Sequence, residues 1–315
     1  MEKDINGVEV VFLNATGAYE YQRDHSHYIQ EQIQQIDVSI VLEQDLSNKS
    51  LTEVRQLYLD NLAANTLNWT EKETRNFNEL LGKVFNQIVA VNPNVLPDTL
   101  YMIKSSGNET IGSGAMYTSA KSLTIPRINT RSAGFGFLED EVKETLIHEL
   151  FHIYSNLNKD KRADIYDIVG FYPIELDLGD AQSRIIANPD ADFGWAVELT
   201  RGEEVIEAVL LTYSTHARWE GKKSTLGLKP AKGYLDYGLF EVVEEGGVYT
   251  LKNGLTKLNM NSVEGSFRYK VGNNTDYLWA VEEIIADTYP LIFMGNDSAS
   301  ERDQEIIDSL EEVLR

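Results

Sequence analysis

Apolar residues recur at helical spacing in the first third of the chain. Residues 51–66 carry them on one face, and a second amphipathic pattern follows Thr70 and runs to about Val91. Thr70 and Glu73 have the spacing of a capping box, and prolines follow the second pattern. Residues 26–44 have a partly helical pattern that β-branched residues interrupt. We therefore predict two long helices here, and helical structure within 26–44.

The rest of the pattern separates strands from helices instead of alternating them. Short segments predict strands over 98–104 and 115–125, and a longer pattern predicts a helix over Leu138–Leu157. The remaining predicted elements are a short helix at about 160–169 closed by Gly170, strands near 239–252 within a mixed region 171–258, and helices over about 277–294 and 300–314. We expect an α+β fold with a small mixed sheet and a mostly helical second half.

The composition narrows the classes of protein to consider. The 315 residues are 42% hydrophobic, include no cysteine and carry a net charge of −22. Disulfides, thiolate metal ligands and a cysteine nucleophile are excluded. A nucleic-acid partner is not expected, because such a surface repels the phosphate backbone. Solubility explains the acidic charge most simply, with an acidic cleft for basic substrates as the alternative.

No feature of the sequence divides the chain into separate domains or anchors it in a membrane. It has no internal repeat, no low-complexity tract and no apolar run of membrane-spanning length. We expect a single domain over 1–315, with an N-terminal lobe of about 1–157 and a C-terminal lobe of about 158–315. The first residues do not resemble a secretory signal, so we expect either a protein that stays inside the cell or one whose signal has been removed. The oligomeric state is not indicated.

The predicted helix over 138–157 carries the motif H-E-x-x-H at His148, Glu149 and His152. On a helix, residues i and i+4 share a face, so the two imidazoles can bind one Zn²⁺. Glu149 points to one side of them, which suits a general base acting on a zinc-bound water. Uncharged residues flank the motif, so we expect a buried helix whose polar groups need partners. The simplest alternative is a pair of core histidines hydrogen-bonded to the glutamate.

A catalytic zinc site needs a third protein ligand. The extended motif with a third histidine is excluded, because Asn158 stands where that histidine would be. Glu283 and Asp287 are four residues apart and share a face of a later predicted helix. Glu283 can bind the metal, and Asp287 can accept the free N–H of a ligand histidine and orient it. Glu282 is the rival ligand, but it has an alanine four residues later.

The two motifs resemble those of the gluzincin peptidases, the thermolysin-like branch of the zincins, in which HExxH is followed later by ExxxD. Both halves are present here, as His148-Glu149-x-x-His152 and Glu283-x-x-x-Asp287. The resemblance implies a zincin-like fold with one zinc ion per chain, bound by the two histidines and Glu283. It also implies that Glu149 is the catalytic base and that Asp287 supports a ligand.

A closer resemblance is to a group of poorly characterised bacterial proteins classed as zinc metallopeptidases. The segments that resemble theirs are HELFHIYSNLN, YDIVGFYPIEL, IANPDADF and NNTDYLWAVEEIIADTY. Those proteins usually have His-Pro just before the Glu-Glu pair, where this chain has Ala280-Val281. The departure bears on activity if that histidine takes part in catalysis. This resemblance implies the fold and the metal site, but not the substrate.

Other side chains are candidates for supporting roles in catalysis or for a second metal site. Tyr277 is the first choice for donating a hydrogen bond to the oxyanion that forms during amide hydrolysis, with Tyr213 and His216 as alternatives. His25 and His27 could bind a second metal at the surface, although exposed polarity explains them more simply.

Two further segments have both a structural and a functional interpretation. By the zincin resemblance, the strand at 115–125 would bind an extended peptide through main-chain hydrogen bonds; otherwise it is an ordinary core strand. Asn188, Pro189 and Asp190 predict an Asx turn, with a cleft wall or a calcium site as alternatives.

These observations predict a zinc-dependent hydrolase, in first place a peptidase acting on a peptide or protein substrate. The alternative is a catalytically silent zincin-like protein that binds a basic partner, and the intact Glu149 argues against it. A toxin-like protease directed at one host protein also fits. The sequence does not distinguish endopeptidase from exopeptidase action.

Overall fold

The computed structural model describes residues 2–111, 114–132, 139–221, 233–295 and 300–315. Within them the chain is a mixed α+β protein with two six-stranded sheets. It divides into two compact units of three segments each: Met1–Leu157, Ala187–Asp190 and Arg218–Gly233 form the first, and Asn158–Ile186, Ala191–Ala217 and Tyr234–Arg315 form the second.

The helices of the first unit agree with most of the sequence-based predictions. Their bounds are α1 Ala15–His25, α2 Gln35–Leu42, α3 Leu51–Asn65, α4 Glu71–Val91, α5 Arg127–Ser132 and α6 Glu139–Leu157. The predictions over 51–66 and 71–91 are confirmed by α3 and α4. The prediction over 138–157 is confirmed by α6 from Glu139 onward, and Leu138 lies outside the described residues. The segment 26–44 contains a π-helical turn, Tyr28–Gln32, followed by α2.

Helix α4 shows how local chemistry and burial together set the bounds of an element. Thr70 accepts a hydrogen bond from the Glu73 N–H, and Glu73 accepts one from the Thr70 N–H, which completes the capping box. The buried face then repeats every three to four residues, and Pro93 begins a 3₁₀ turn just beyond the last helical residue. The buried residues of this face are Thr74, Phe77, Leu80, Leu81, Val84, Phe85 and Ile88.

The first sheet is mixed, with parallel central strands. Its strands are β1 Glu2–Ile5, β2 Val8–Phe12, β3 Thr66–Leu67, β4 Thr99–Ser105, β5 Tyr117–Ser119 and β6 Ser122–Pro126. The order is β1-β2-β4-β6-β5, with β3 paired to β4. Strands β2, β4 and β6 run parallel, and the other pairs are antiparallel. The β1–β2 hairpin was not predicted, although Asn6-Gly7 has the positive φ angles of a type I′ turn, 54° and 82°.

The single strand predicted over 115–125 is wrong. The chain reverses at Ala120, which has a φ of 52°, and Lys121, so the segment forms the hairpin β5–β6. Strand β5 lies at the edge of the sheet among the described strands, and it packs against α6. The short turn was missed because it contains neither glycine, asparagine nor aspartate, the residues that usually mark such a turn.

The mostly helical second half is also wrong, because the second unit contains a six-stranded sheet. Its strands are β7 Phe171–Pro173, β8 Glu175–Asp177, β9 Trp195–Arg201, β10 Glu204–Ser214, β11 Leu235–Glu245 and β12 Val248–Leu251, in the order β7-β9-β10-β11-β12-β8. Gly202 and Gly246-Gly247 have positive φ and form the tight turns of two hairpins. Strands β10 and β11 are 11 residues long, but which strands pair depends on the packing of Phe240 and its neighbours in the core.

The helices of the second unit are shorter than the sequence pattern suggests. They are α7 Arg162–Asp167, α8 Glu264–Val271, α9 Val281–Thr288, α10 Leu291–Met294 and α11 Glu301–Leu314. The helix predicted over 277–294 begins only at Val281 and divides at Pro290, whose ring nitrogen has no hydrogen to donate. The helix predicted over 300–314 is confirmed by α11. Among the described helices, none has the length and apolarity required to cross a membrane.

An ion pair between the buried Lys104 and the half-buried Glu73 joins the first sheet to the start of α4. The Lys104 Nζ donates to both carboxylate oxygens of Glu73 at 2.8 Å, and the Thr130 hydroxyl donates to Glu73 at 2.9 Å. Burial by itself would raise the pKa of Glu73, but these bonds and those from Thr70 outweigh it and lower the pKa to about 2. The ionised carboxylate therefore stabilises the folded state.

We expect Glu73→Gln to lower the free energy of unfolding by about 2 kcal/mol at neutral pH, since it removes charge-assisted hydrogen bonds from a buried lysine. The contribution of Glu73 to the free energy of unfolding is complete above pH 4.5, the ordinary pKa of a glutamate. It is lost as the pH falls toward about 2, the pKa of Glu73 in the folded protein. The difference in the free energy of unfolding between the wild type and Glu73→Gln, measured by urea denaturation, should therefore narrow over that pH range. The control is Glu53→Gln, which alters an exposed capping box. Equal losses in the two variants at pH 7 would contradict this account.

Candidate metal centre

Helix α6 carries the H-E-x-x-H motif. The position of this helix is fixed by the packing of its buried residues. Its first turn contains Glu139, Asp140 and Glu141, whose negative charges favour the N-terminal end of the helix dipole. The rest of the helix is apolar on most sides. The buried residues are Val142, Leu146, Ile147, Glu149, Leu150, Phe151, His152, Ile153, Tyr154 and Ser155. Both histidines are therefore carried by a rigid element and not by a loop.

The two histidine side chains face one another across one helical turn. Their Nε2 atoms are 3.0 Å apart, and the ring planes lie at 80° to each other. The two nitrogens would subtend an angle of roughly 90–100° at an ion held 2.0–2.1 Å from each, which is about 10–20° below the tetrahedral value. The same separation fits an N–H···N hydrogen bond. The pair alone thus fits both a metal site and a core contact, and a third potential ligand favours the metal site.

Glu283 supplies the third group. The ligand atoms of His148, His152 and Glu283 all lie within 4.8 Å of one another. His152 is 1% exposed and Glu283 is 4% exposed, whereas His148 is half-buried. Two imidazoles and one carboxylate form a donor set that suits zinc at a catalytic site. The residues present therefore fit the metal that the sequence predicts.

Glu149 is buried on α6 next to His148. Successive residues of a helix are rotated by about 100°, so its carboxylate projects to one side of the face that carries the two histidines. It is not a member of the three-residue group. This placement is compatible with a base that acts beside the metal, and its catalytic role stays a prediction.

The two acidic neighbours of Glu283 have hydrogen-bond partners of their own. Glu282 is 1% exposed, and its carboxylate accepts a hydrogen bond from the hydroxyl of Tyr166. Asp287 accepts one from the hydroxyl of Thr275. The Tyr166 contact is one that sequence reasoning missed, since the two residues are far apart in the chain. The role of Asp287 in orienting a ligand histidine stays a prediction.

The three candidate oxyanion donors have different surroundings. Tyr277 is 41% exposed, and its ring lies against that of Trp279 at 5.6 Å. The Tyr213 hydroxyl donates to Asp236 at 3.0 Å, and burial followed by this bond raises the pKa of Tyr213. His216 lies against the ring of Tyr234 at 5.1 Å. The choice of Tyr277 as the oxyanion donor stays a prediction.

The second metal site considered at His25 and His27 has a simpler explanation. The His25 ring stacks on Tyr21 at 4.4 Å, and its Nδ1 lies 3.0 Å from the Tyr21 carbonyl. The His27 ring faces Glu31 at 3.5 Å. Among the residues that the structure describes, neither histidine belongs to a group of three potential ligands.

The edge strand β5 is hydrogen-bonded to a short segment from later in the chain, Ala187–Asp190. The Thr118 N–H donates to the Asp190 carboxylate at 2.8 Å, and the Thr118 hydroxyl donates to the same oxygen. The Asn188 side chain accepts the Asp190 N–H at 3.0 Å, which confirms the predicted Asx turn. An extended peptide that pairs with β5 at Thr118 must therefore displace Asp190.

Replacement of Asp190 by alanine should lower the free energy of unfolding by about 2 kcal/mol, because a buried N–H and a buried hydroxyl lose their acceptor. Thr118→Val removes only the hydroxyl and should cost less. Asp180→Ala, at an exposed position, serves as the control and should have almost no effect. Urea denaturation of the four proteins measures the differences. If Asp190→Ala lowers the free energy of unfolding no more than Asp180→Ala does, the hydrogen bonds of the Asp190 side chain contribute nothing to stability.

Comparisons of this chain with protein-family models, with curated proteins and with solved structures find no match. The gluzincin resemblance therefore rests on His148, Glu149, His152, Glu283 and Asp287 themselves.

Proposed function

We propose that this chain is a zinc-dependent hydrolase, and in particular a peptidase that cleaves amide bonds. The observation that carries the proposal is the grouping of one ligand atom each from His148, His152 and Glu283 within 4.8 Å. These residues come from helices far apart in sequence, and a chance meeting of three such donors in a largely buried place is costly unless something compensates them. A bound cation would be one such source of compensation.

Each residue has a role that follows from its chemistry. A zinc ion held there would lower the pKa of a water molecule and polarise the carbonyl of a substrate. His148 and His152 would hold it through the Nε2 atoms that face one another. Glu283 contributes a negative charge that partly neutralises the cation. Glu149 accepts a proton from the attacking water and then delivers it to the leaving amine.

The presence of Glu149 favours a hydrolase over other uses of the same ligand set. Two histidines and a carboxylate also bind iron in some oxygenases, but such a site has no need of a carboxylate base beside the first histidine. A silent metal-binding protein with a basic partner likewise has no need of it, although the net charge of −22 suits such a partner. The same charge favours basic peptides as substrates.

The metal site is tested by zinc content. We expect about one zinc per chain in the wild type, purified without added metal, because a three-ligand site of this kind holds its ion tightly. Glu283→Ala and His152→Ala should each lose most of it. His25→Ala and Glu175→Ala are the matched controls and should retain it, because both residues lie outside the group.

Elemental mass spectrometry reads out this experiment and also identifies the metal. Zinc retained in Glu283→Ala would mean that another group provides the third ligand. No zinc in the wild type, with none bound on titration, would leave His148 and His152 as core residues and end the proposal. Iron in place of zinc would move the protein to another class of enzyme.

The catalytic base is tested by Glu149→Gln, which preserves the size of the side chain and removes its basicity. We expect the variant to keep its zinc and to lose about 10²–10⁴-fold in kcat, the usual contribution of a general base. A library of fluorogenic peptides that includes basic sequences provides the substrate. If zinc-loaded wild type cleaves nothing faster than Glu149→Gln does, the silent binding protein is the better description.

A further inference from the structure

Two consecutive glutamates on α9 are both almost completely buried. Glu282 is 1% exposed and Glu283 is 4% exposed. A buried carboxylate is costly unless hydrogen bonds or a cation compensate it. Since both lie in the first turn of the helix, its dipole stabilises both to a similar extent and does not choose between them. The choice of the glutamate that faces the histidines therefore depends on the hydrogen-bond partners of the two side chains.

Glu282 has a donor that is itself firmly held. The Tyr166 hydroxyl donates to the Glu282 carboxylate. Tyr166 is 1% exposed, and its ring meets that of Trp195 edge-on at 4.5 Å. Its helix, α7, packs on α9 and is anchored by the ion pair between the buried Arg162 and Asp192. Tyr166 is thus a rigid donor and not an adaptable one.

Through the geometry of the helix, this hydrogen bond of Glu282 also determines the direction of Glu283. Adjacent residues on a helix are separated by about 100° of rotation, so fixing Glu282 toward Tyr166 fixes the direction of Glu283 as well. Helix α9 is short, and its N-cap residue, Ala280, has no side chain that could cap it. The local sequence therefore does not lock the rotation of the helix, and Tyr166 is in a position to do so.

We propose that Tyr166 is a positioning residue for the metal ligand Glu283: it holds Glu282 away from the metal and leaves Glu283 as the carboxylate that faces His148 and His152. This inference rests on the proposed zinc site and adds to it the group that selects one of two adjacent glutamates. Without the hydroxyl, the Glu282 carboxylate loses the hydrogen bond that directs it toward Tyr166, so α9 can turn or Glu282 can compete for the cation.

The test is the zinc affinity of Tyr166→Phe, measured by competition with a chromogenic chelator. We expect the dissociation constant for zinc to rise about tenfold or more, as is usual when the residue that orients a ligand is removed. The control is Tyr172→Phe, which removes a similar hydrogen bond from a tyrosine hydroxyl to Glu207 in the same unit. It should leave the zinc affinity unchanged even where it lowers the unfolding temperature.

A second variant separates positioning from general damage to the fold. Glu282→Gln in the Tyr166→Phe background replaces the competing carboxylate by a neutral amide, and zinc affinity should return toward the wild-type value although the hydroxyl is still absent. Wild-type affinity in Tyr166→Phe would overturn the inference and leave the proposed function standing. Equal weakening in the Tyr172→Phe control, or no rescue by Glu282→Gln, would also overturn it. A wild type that binds no zinc would overturn both proposals, so the two failures are distinguishable.

Discussion

The need to compensate buried ionisable side chains shapes the candidate site of this protein. Glu149, His152, Glu282 and Glu283 are each at most 5% exposed. In a medium of low dielectric constant such groups are stable only with hydrogen bonds, opposite charges or a metal. Tyr166 provides the partner of Glu282, and the two histidines face Glu283. The metal-site proposal is a consequence of this electrostatic requirement as much as of the sequence motif.

Compensation of this kind also operates away from the candidate site. Lys104 is 5% exposed and is paired with Glu73, so the same carboxylate caps α4 and neutralises a charge of the first sheet. Asp190 accepts both the N–H and the hydroxyl of Thr118 on the edge strand β5. In both cases the hydrogen bonds of one carboxylate join two segments that are distant in sequence. Buried polar networks of this kind hold elements in a single register, because any other arrangement leaves donors without acceptors.

The edge strand illustrates how packing changes a functional expectation. A strand beside the motif helix offers main-chain groups to an extended peptide, and β5 does pack against α6. Its Thr118 N–H, however, already donates to Asp190. Any peptide that pairs with this strand at Thr118 must compete with a buried carboxylate, so binding there would carry a cost that an open edge does not impose.

The sequence alone determined those features that depend on near neighbours in the chain. The capping box at Thr70, the bounds of α3, α4, α6 and α11, and the meeting of His148 with His152 one turn apart all follow from helical spacing. It also singled out Glu283 over Glu282, because Asp287 lies one turn further along.

Only the tertiary structure decided the rest, since it depends on residues far apart in the chain. Six strands form one sheet in the second unit because their apolar faces pack into a common core, and local periodicity does not reveal which strands pair. The hydrogen bond that the Glu282 carboxylate accepts comes from Tyr166, 116 residues away in the sequence. A helix pattern specifies which residues share a face, whereas the orientation of that face is set by what packs against it.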